Sequence, residues 1–195
     1  MERVAEAIAR AYANSPFLAG LVDRNADLMP LIHAGDFDTA LANALARNAD
    51  SVGIALRKQR QGVALVTAIA DLAGVWDLTR VTHILSDFAD HALDQAIEAA
   101  IQERMPGAPN QGFAAIALGK HGGRELNYSS DIDPIFLFDP KTLPHREGED
   151  VAEAAVRYGR RVIALLSALD GDGYVFRVDM RLRPSPEVSP IVLPV

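Results

Sequence analysis

Three aspartates carry most of the chemistry legible in this chain. Asp131 and Asp133 stand two residues apart at the entrance to the apolar run IFLF, so an extended backbone projects both carboxylates from one face. Such a pair repels itself unless a cation sits beside it. Hard divalent ions such as Mg²⁺ take carboxylate oxygens and complete their shell with phosphate and water, so this spacing suits a metal–phosphate complex. It suits a solvated cap at a strand end as well.

The segment YVFRVDMRLRP favours the first reading. Phe176, Val178, Met180 and Leu182 alternate strictly with Arg177, Asp179, Arg181 and Arg183, which predicts a third strand with one apolar face. On the other face a single acid stands among three guanidinium groups. A solvated edge strand would give surface ion pairs worth about 0 to 1 kcal/mol each. A functional face would make Asp179 the third carboxylate and set the arginines on phosphate oxygens, which guanidinium grips bidentately. The acid pair nearby in the chain tips the balance toward function.

Between the two apolar runs lies GKHGGRELNYSSD, where Gly119, Gly122 and Gly123 permit close backbone approach to a phosphate and Lys120 adds a point charge. The loop matches neither GxxxxGK[ST] nor GxGxxG. His121 has no partner at ligand spacing and is read, with His33, His83, His91 and His145, as structural or exposed. Trp76 is read as core.

These residues need elements to hold them. FAAIAL (113–118) and IFLFD (135–139) read as two buried strands, closed by Gly119 and Pro140. The linker PKTLPHREGED leads to a helix whose apolar face is Val151, Ala155, Tyr158, Val162, Leu165, Leu166 and Leu169, ended by the GDG at 171–173. Ahead of the sheet, residues 1 to about 105 are rich in Ala, Leu and charge and read as helices throughout. The clearest starts at Asp77 or Thr79 and carries Val81, Ile84, Leu85, Phe88, Leu93, Ile97 and Ile101 to a break at Pro106. Residues 36–72 read as two or three helices, with turns at Asn48 and Gly62 as the dividing points. The fold class is α+β: a helical N-terminal region, 1–108, then a small mixed-sheet core, 109–195.

Composition narrows the class further. The 195 residues suffice for a buried core without disulfides, and no cysteine is present, which excludes thiolate catalysis and zinc–thiolate sites and fits a reducing, cytoplasmic setting. The N-terminal stretch MERVAEAIARAYANSPF lacks the apolar stretch of a signal peptide, so neither export nor a membrane partner is expected. With 26 acidic against 19 basic residues and a net charge of −7, nucleic acid is not the expected partner.

GKHGGRELNYSSDID, followed later by YVFRVDMRLRP, resembles the glutamine synthetase adenylyltransferase/adenylyl-removing enzyme family, bifunctional DNA polymerase β-like nucleotidyltransferases. The helical stretch ALRKQRQGVALVTAIADLAGVWDLTRVTHILSDFADHAL is similar to that family's lead-in, and NSPFLAGLVDRNADL to its start. The resemblance implies a nucleotidyltransferase core in which Asp131, Asp133 and Asp179 are catalytic and bind two Mg²⁺ ions. It implies phosphate or nucleotide contacts from Gly119, Lys120, Gly122, Gly123, Ser130, Arg181 and Arg183. Asn127, Ser129, Ser130 and Ile132 match the LNxSSDID form typical of the adenylyl-removing domain, which takes AMP from a tyrosine of glutamine synthetase by phosphorolysis and releases ADP. Transfer from ATP to that tyrosine, and a non-catalytic fragment, are the alternatives. The implied partners are adenylylated glutamine synthetase, ADP or ATP, inorganic phosphate and a PII-type nitrogen regulatory protein. This sequence departs from the family pattern at Pro134, at His121 and at SPEVSP after RLRP. It also stops short of the family's removing domain, so a truncated core with an unpartnered IVLPV end is expected.

Overall fold

A computed structural model describes residues 2–182 and 187–195. The chain divides into two compact units, Met1–Phe88 and Ala89–Val195, with the division inside a long helix.

The first unit is helical. Helix α1 (Glu2–Asn14) buries Val4, Ala7 and Ala11, one stripe of a 3.6-residue period. Helix α2 (Pro16–Arg24) has Pro at its first position and Ser15 as N-cap, whose Oγ accepts from Leu18 N. The short α3 (Met29–Ala34) ends on left-handed Gly35, and α4 (Phe37–Leu45) is capped by Asp36. Helix α5 (Val52–Leu72), capped by Ser51, is buried on all sides from Gln61 to Ala70. Residues 36–72 therefore form two helices, and Gly62 is no turn. It lies in the middle of α5, where a Cβ would stand 2.7 Å from Ala44 Cβ, so its missing side chain is what lets α4 and α5 approach so closely. Helix α6 (Leu78–Arg104) begins at Asp77, whose carboxylate accepts from Arg80 N at 2.8 Å. Trp76 is core, with Phe37 against its ring.

The second unit contains the rest of α6, strand β1 (Phe113–Leu118), the single turn α7 (Gly119–Gly122), strand β2 (Asp133–Phe138), helix α8 (Val151–Ser167) and strand β3 (Val192–Pro194). The sheet order is β1-β2-β3. β1 pairs antiparallel with β2, from Phe113 opposite Phe138 to Leu118 opposite Asp133, and β3 pairs parallel with β2. β2 is the central strand, with Pro134, Phe136 and Phe138 buried and Asp133, Ile135 and Leu137 on the half-buried face. β1 is an edge strand and only half-buried, against the expectation of a core strand. Asp150 caps α8 by accepting from Ala152 N and Glu153 N. The helix lies on β2 and β3 through Gly159, where a Cβ would meet Val192 Cγ2 at 2.6 Å. It stops at Ser167, so Leu169 is exposed and does not continue the apolar face.

Two expectations are corrected here. The alternating segment 174–182 is not a regular strand: it makes one isolated parallel bridge, Val178 to Ile132, its neighbours Val175 and Phe176 are both buried, and Leu182 is exposed. The backbone N–H groups of Val175 and Phe176 both donate to Leu166 O, at 3.0 and 2.9 Å, satisfying a carbonyl left open by the end of α8. That competing partner pulls the start of the segment out of the sheet. Conversely the terminal IVLPV is partnered, since Val192–Pro194 is β3 and Val195 N donates to Phe138 O at 3.0 Å.

Candidate functional site

The site lies at the end of the sheet where Leu118 meets Asp133. Asp133 is the first residue of β2, and Asp131 shares its face two residues earlier. The bridge at Ile132 brings in the third acid: Ile132 N donates to Arg177 O at 3.0 Å, and Asp179 N donates to Ile132 O at 2.9 Å. Backbone pairing therefore sets Asp179 alongside the acid pair without a continuous strand. The Gly119 turn closes the other side. Gly119 has φ +57°, and a Cβ there would stand 2.8 Å from Asp133 Oδ2, so only glycine fits.

The electrostatics follow from this crowding. Burial first, then the Asp179 and Asp131 carboxylates, push the Asp133 carboxyl above its ordinary value, against the opposing pull of Arg181 and His121. Asp179 is held below the usual carboxylate range by Arg181, whose Nε lies 2.9 and 2.8 Å from the two carboxylate oxygens. Arg177 donates from Nε to Asp131 Oδ1 and from Nη2 to Ser129 O at 2.9 Å. In this arrangement two arginines expected on phosphate neutralise two of the three acids, and among the described residues no guanidinium bonds to Asp133.

The remaining expected contacts are distributed unevenly. Lys120 is exposed on α7 and makes no ion pair among the described residues. Gly122 packs its Cα side against Ala117 O, where a Cβ would come to 2.4 Å, so it serves the turn. The Gly123 N–H donates to Gly119 O at 3.0 Å. Ser130 is tied into a local turn, its hydroxyl donating to Asn127 Oδ1 at 3.0 Å and accepting from Asn127 N at 3.2 Å. Arg183 lies outside the described residues. His121, read from sequence as structural or exposed, is buried, with Nε2 2.8 Å from Asp90 Oδ1 and no protein partner for Nδ1.

Among the described residues no three His, Cys, Asp or Glu side chains are gathered closely enough to hold a metal ion. The donor chemistry nevertheless suits a hard divalent cation. The three carboxylates lie near enough to feel one another's charge, and burial and then the other two disfavour the charged form of Asp133.

The model of the glutamate-ammonia ligase adenylyltransferase family matches residues 3–195. A curated relative from Caulobacter vibrioides, a bifunctional glutamine synthetase adenylyltransferase/adenylyl-removing enzyme, is 41% identical over 208 residues, which cover 96% of this chain and 21% of the relative. Relatives of the same description from Xanthobacter autotrophicus and Burkholderia pseudomallei are 37% and 38% identical, covering 92% and 95% of this chain and 20% and 22% of their own length. The chain spans about a fifth of the curated relatives it matches. No helix among the described residues is long and apolar enough to cross a membrane.

Proposed function

The chain belongs to the glutamate-ammonia ligase adenylyltransferase family, and from that premise we propose that it carries the metal-binding part of a nucleotidyltransferase site that removes AMP from an adenylylated tyrosine of glutamine synthetase by phosphorolysis. The observation that carries the proposal is the convergence of Asp131, Asp133 and Asp179 through the hydrogen bonds of Ile132. Residues 109–195 are the catalytic core in this reading and 1–108 its helical lead-in. The direction of the chemistry rests on Asn127, Ser129, Ser130 and Ile132 in the LNxSSDID form.

In the proposed reaction an oxygen of inorganic phosphate bonds to the α-phosphorus of the adenylyl group while the bond from that phosphorus to the tyrosine oxygen breaks. The proton lost by the phosphate is regained by the tyrosine, and ADP leaves. Asp131, Asp133 and Asp179 are the residues that would hold two Mg²⁺ ions, whose chemistry is to draw charge from the phosphoryl oxygens. Lys120 supplies positive charge from an exposed turn where an incoming phosphate is accessible, with Arg183 as its counterpart. Arg177 and Arg181 hold Asp131 and Asp179 in place until metal or substrate phosphate competes for the carboxylates or for the guanidinium groups.

The test is a chimera in which this chain replaces the aligned segment of the Caulobacter relative. With adenylylated glutamine synthetase and phosphate it should yield ADP and free tyrosine, and Asp133→Asn should lower that rate by about a hundredfold or more while transfer from ATP continues. Loss of transfer with removal intact would reverse the assigned direction. Loss of neither would return the segment to a non-catalytic role.

A further inference from the structure

At the other end of β1 from the acids, a cavity of about 260 Å³ is lined by Arg104, Arg146, Arg157 and Arg161 together with Glu103 and Tyr158. We propose that this cavity binds a tetrahedral oxyanion, either free phosphate or the phosphoryl group of a nucleotide, at a place separate from the acid cluster. The proposal does not depend on the direction or existence of the adenylyl chemistry. Tyr158 touches Phe113, the first residue of β1, at 6.5 Å between ring centres, whereas Leu118, the last, pairs with Asp133. The two places are therefore separated by the length of the strand, roughly 17 Å.

Not every guanidinium donor lining the cavity is taken up by a carboxylate. Arg161 is committed to Glu103, with Nε and Nη2 at 2.6 and 2.7 Å from its two oxygens. Arg157 donates to Glu149 at 2.9 Å and to Glu153 at 3.1 Å, and Arg104 donates from Nη2 to the same Glu149 oxygen. Four guanidinium groups thus face three carboxylates. The Arg146 guanidinium has no acceptor among the described residues, since only its backbone N–H reaches Glu149. Arg104 Nε is buried with no acceptor among the described residues and faces protein, so Arg146 is the residue that offers open donors to the cavity. The Tyr158 hydroxyl is spent on Pro144 O at 2.8 Å, which makes the ring a wall and not a ligand.

The guanidinium groups reach the cavity from α6, from the linker ahead of α8 and from α8 itself. A tetrahedral anion offers acceptors in all those directions, whereas a planar carboxylate is served by one or two forks. The volume lies just under the roughly 300 to 1,000 Å³ of drug-sized pockets, and with each water taking about 30 Å³ it holds a small anion with part of its hydration shell.

The experiment titrates inorganic phosphate into the full 195-residue chain in EDTA, read by calorimetry and by the arginine Nε–H signals in NMR. Wild type should show saturable binding that shifts an Nε–H signal absent from the Arg146→Gln spectrum. Arg146→Gln should weaken binding by about tenfold or more, with Arg146→Lys in between, because a point charge lacks the fork. Lys58→Gln, at an exposed lysine of α5, should leave it unchanged. Arg146 makes no ion pair among the described residues, so its variants should melt at the wild-type temperature and a binding loss cannot be read as unfolding. Repeating the titration with AMP distinguishes the two sources: tighter binding than phosphate identifies a nucleotide phosphoryl group, and weaker binding identifies the free ion. Phosphate binding that survives Arg146→Gln, that is lost in Lys58→Gln, or that succinate matches in affinity would overturn the proposal, as would no saturable binding by phosphate or AMP.

Discussion

At Asp133, burial and two neighbouring carboxylates act in the same direction, and both disfavour the charged form. Because the folded-state pKa lies above the unfolded one, the folded protein gives up stability as pH rises through that raised value, and at neutral pH the charged carboxylate is a cost. Asp133→Asn should therefore melt slightly higher than wild type without metal, on the order of 1 to 2 °C. In return it should lose most of the stabilisation that Mg²⁺ or Mn²⁺ gives the wild type. Calorimetric melts with and without Mn²⁺ check both halves, and an equal metal-induced shift in the two proteins would remove Asp133 from the proposed metal site. Gly119 gives a second reading of the same place. At φ +57° a Cβ costs roughly 1 to 2 kcal/mol of backbone strain, and it would also stand 2.8 Å from Asp133 Oδ2. Gly119→Ala should lower stability by about that amount and weaken Mn²⁺ affinity as well, because the carboxylate must move. A variant destabilised but with unchanged affinity would show that the turn does not position the acid.

The elements divide by how local their causes are. Helices α6 and α8 are legible in the sequence because their apolar stripes, and for α6 the Asp77 cap, belong to one segment. The acid pair is legible for the same reason, as a two-residue spacing at the start of a strand. The segment 174–182 is not, because a period of two says that a strand fits but not whether its donors are already taken, and here Leu166 O takes two of them. Gly62 and β3 are hidden in another way. A glycine in a helical run reads as a turn unless the facing Ala44 is known, and a three-residue strand containing Pro194 is too short to announce itself. The seat of β3 is Gly159. Alanine there gains about 1 kcal/mol of helix propensity, but its Cβ would meet Val192 Cγ2 at 2.6 Å and Ile191 Cδ1 at 3.4 Å. Gly159→Ala should thus leave α8 intact and loosen β3, seen as faster amide exchange at Val195, whose N–H donates to Phe138 O. Unchanged exchange at Val195 would mean that Val192 yields without the strand moving.

At the scale of the whole molecule, four carboxylates held low by their partners lie in the unit 89–195. Arg161 holds Glu103 low, and the Lys141 N–H and Thr142 hydroxyl hold Asp139 low. Burial pushes Glu149 upward, but the Arg146 N–H and Arg104 outweigh it, and Arg181 holds Asp179 low. For each of these the folded pKa lies below the unfolded one, so its stabilisation is complete above the unfolded value, near pH 4 to 4.5, and is lost as pH falls through the folded value. Asp133 has the opposite sign, since protonation on the way down relieves its repulsion with Asp131 and Asp179. The unit that carries the acid cluster should hold or gain slightly in stability down to about pH 4.5 and then fail below it. Amide exchange, corrected for intrinsic rates and followed peptide by peptide, should show β2 and α8 opening at a higher pH than α5, which is buried on all sides from Gln61 to Ala70. Opening of α5 first, or at the same pH, would mean that charge pairing in the second unit does not set the acid limit. In that case the ion pairs around Glu149 and Glu103 contribute little to the stability of the fold.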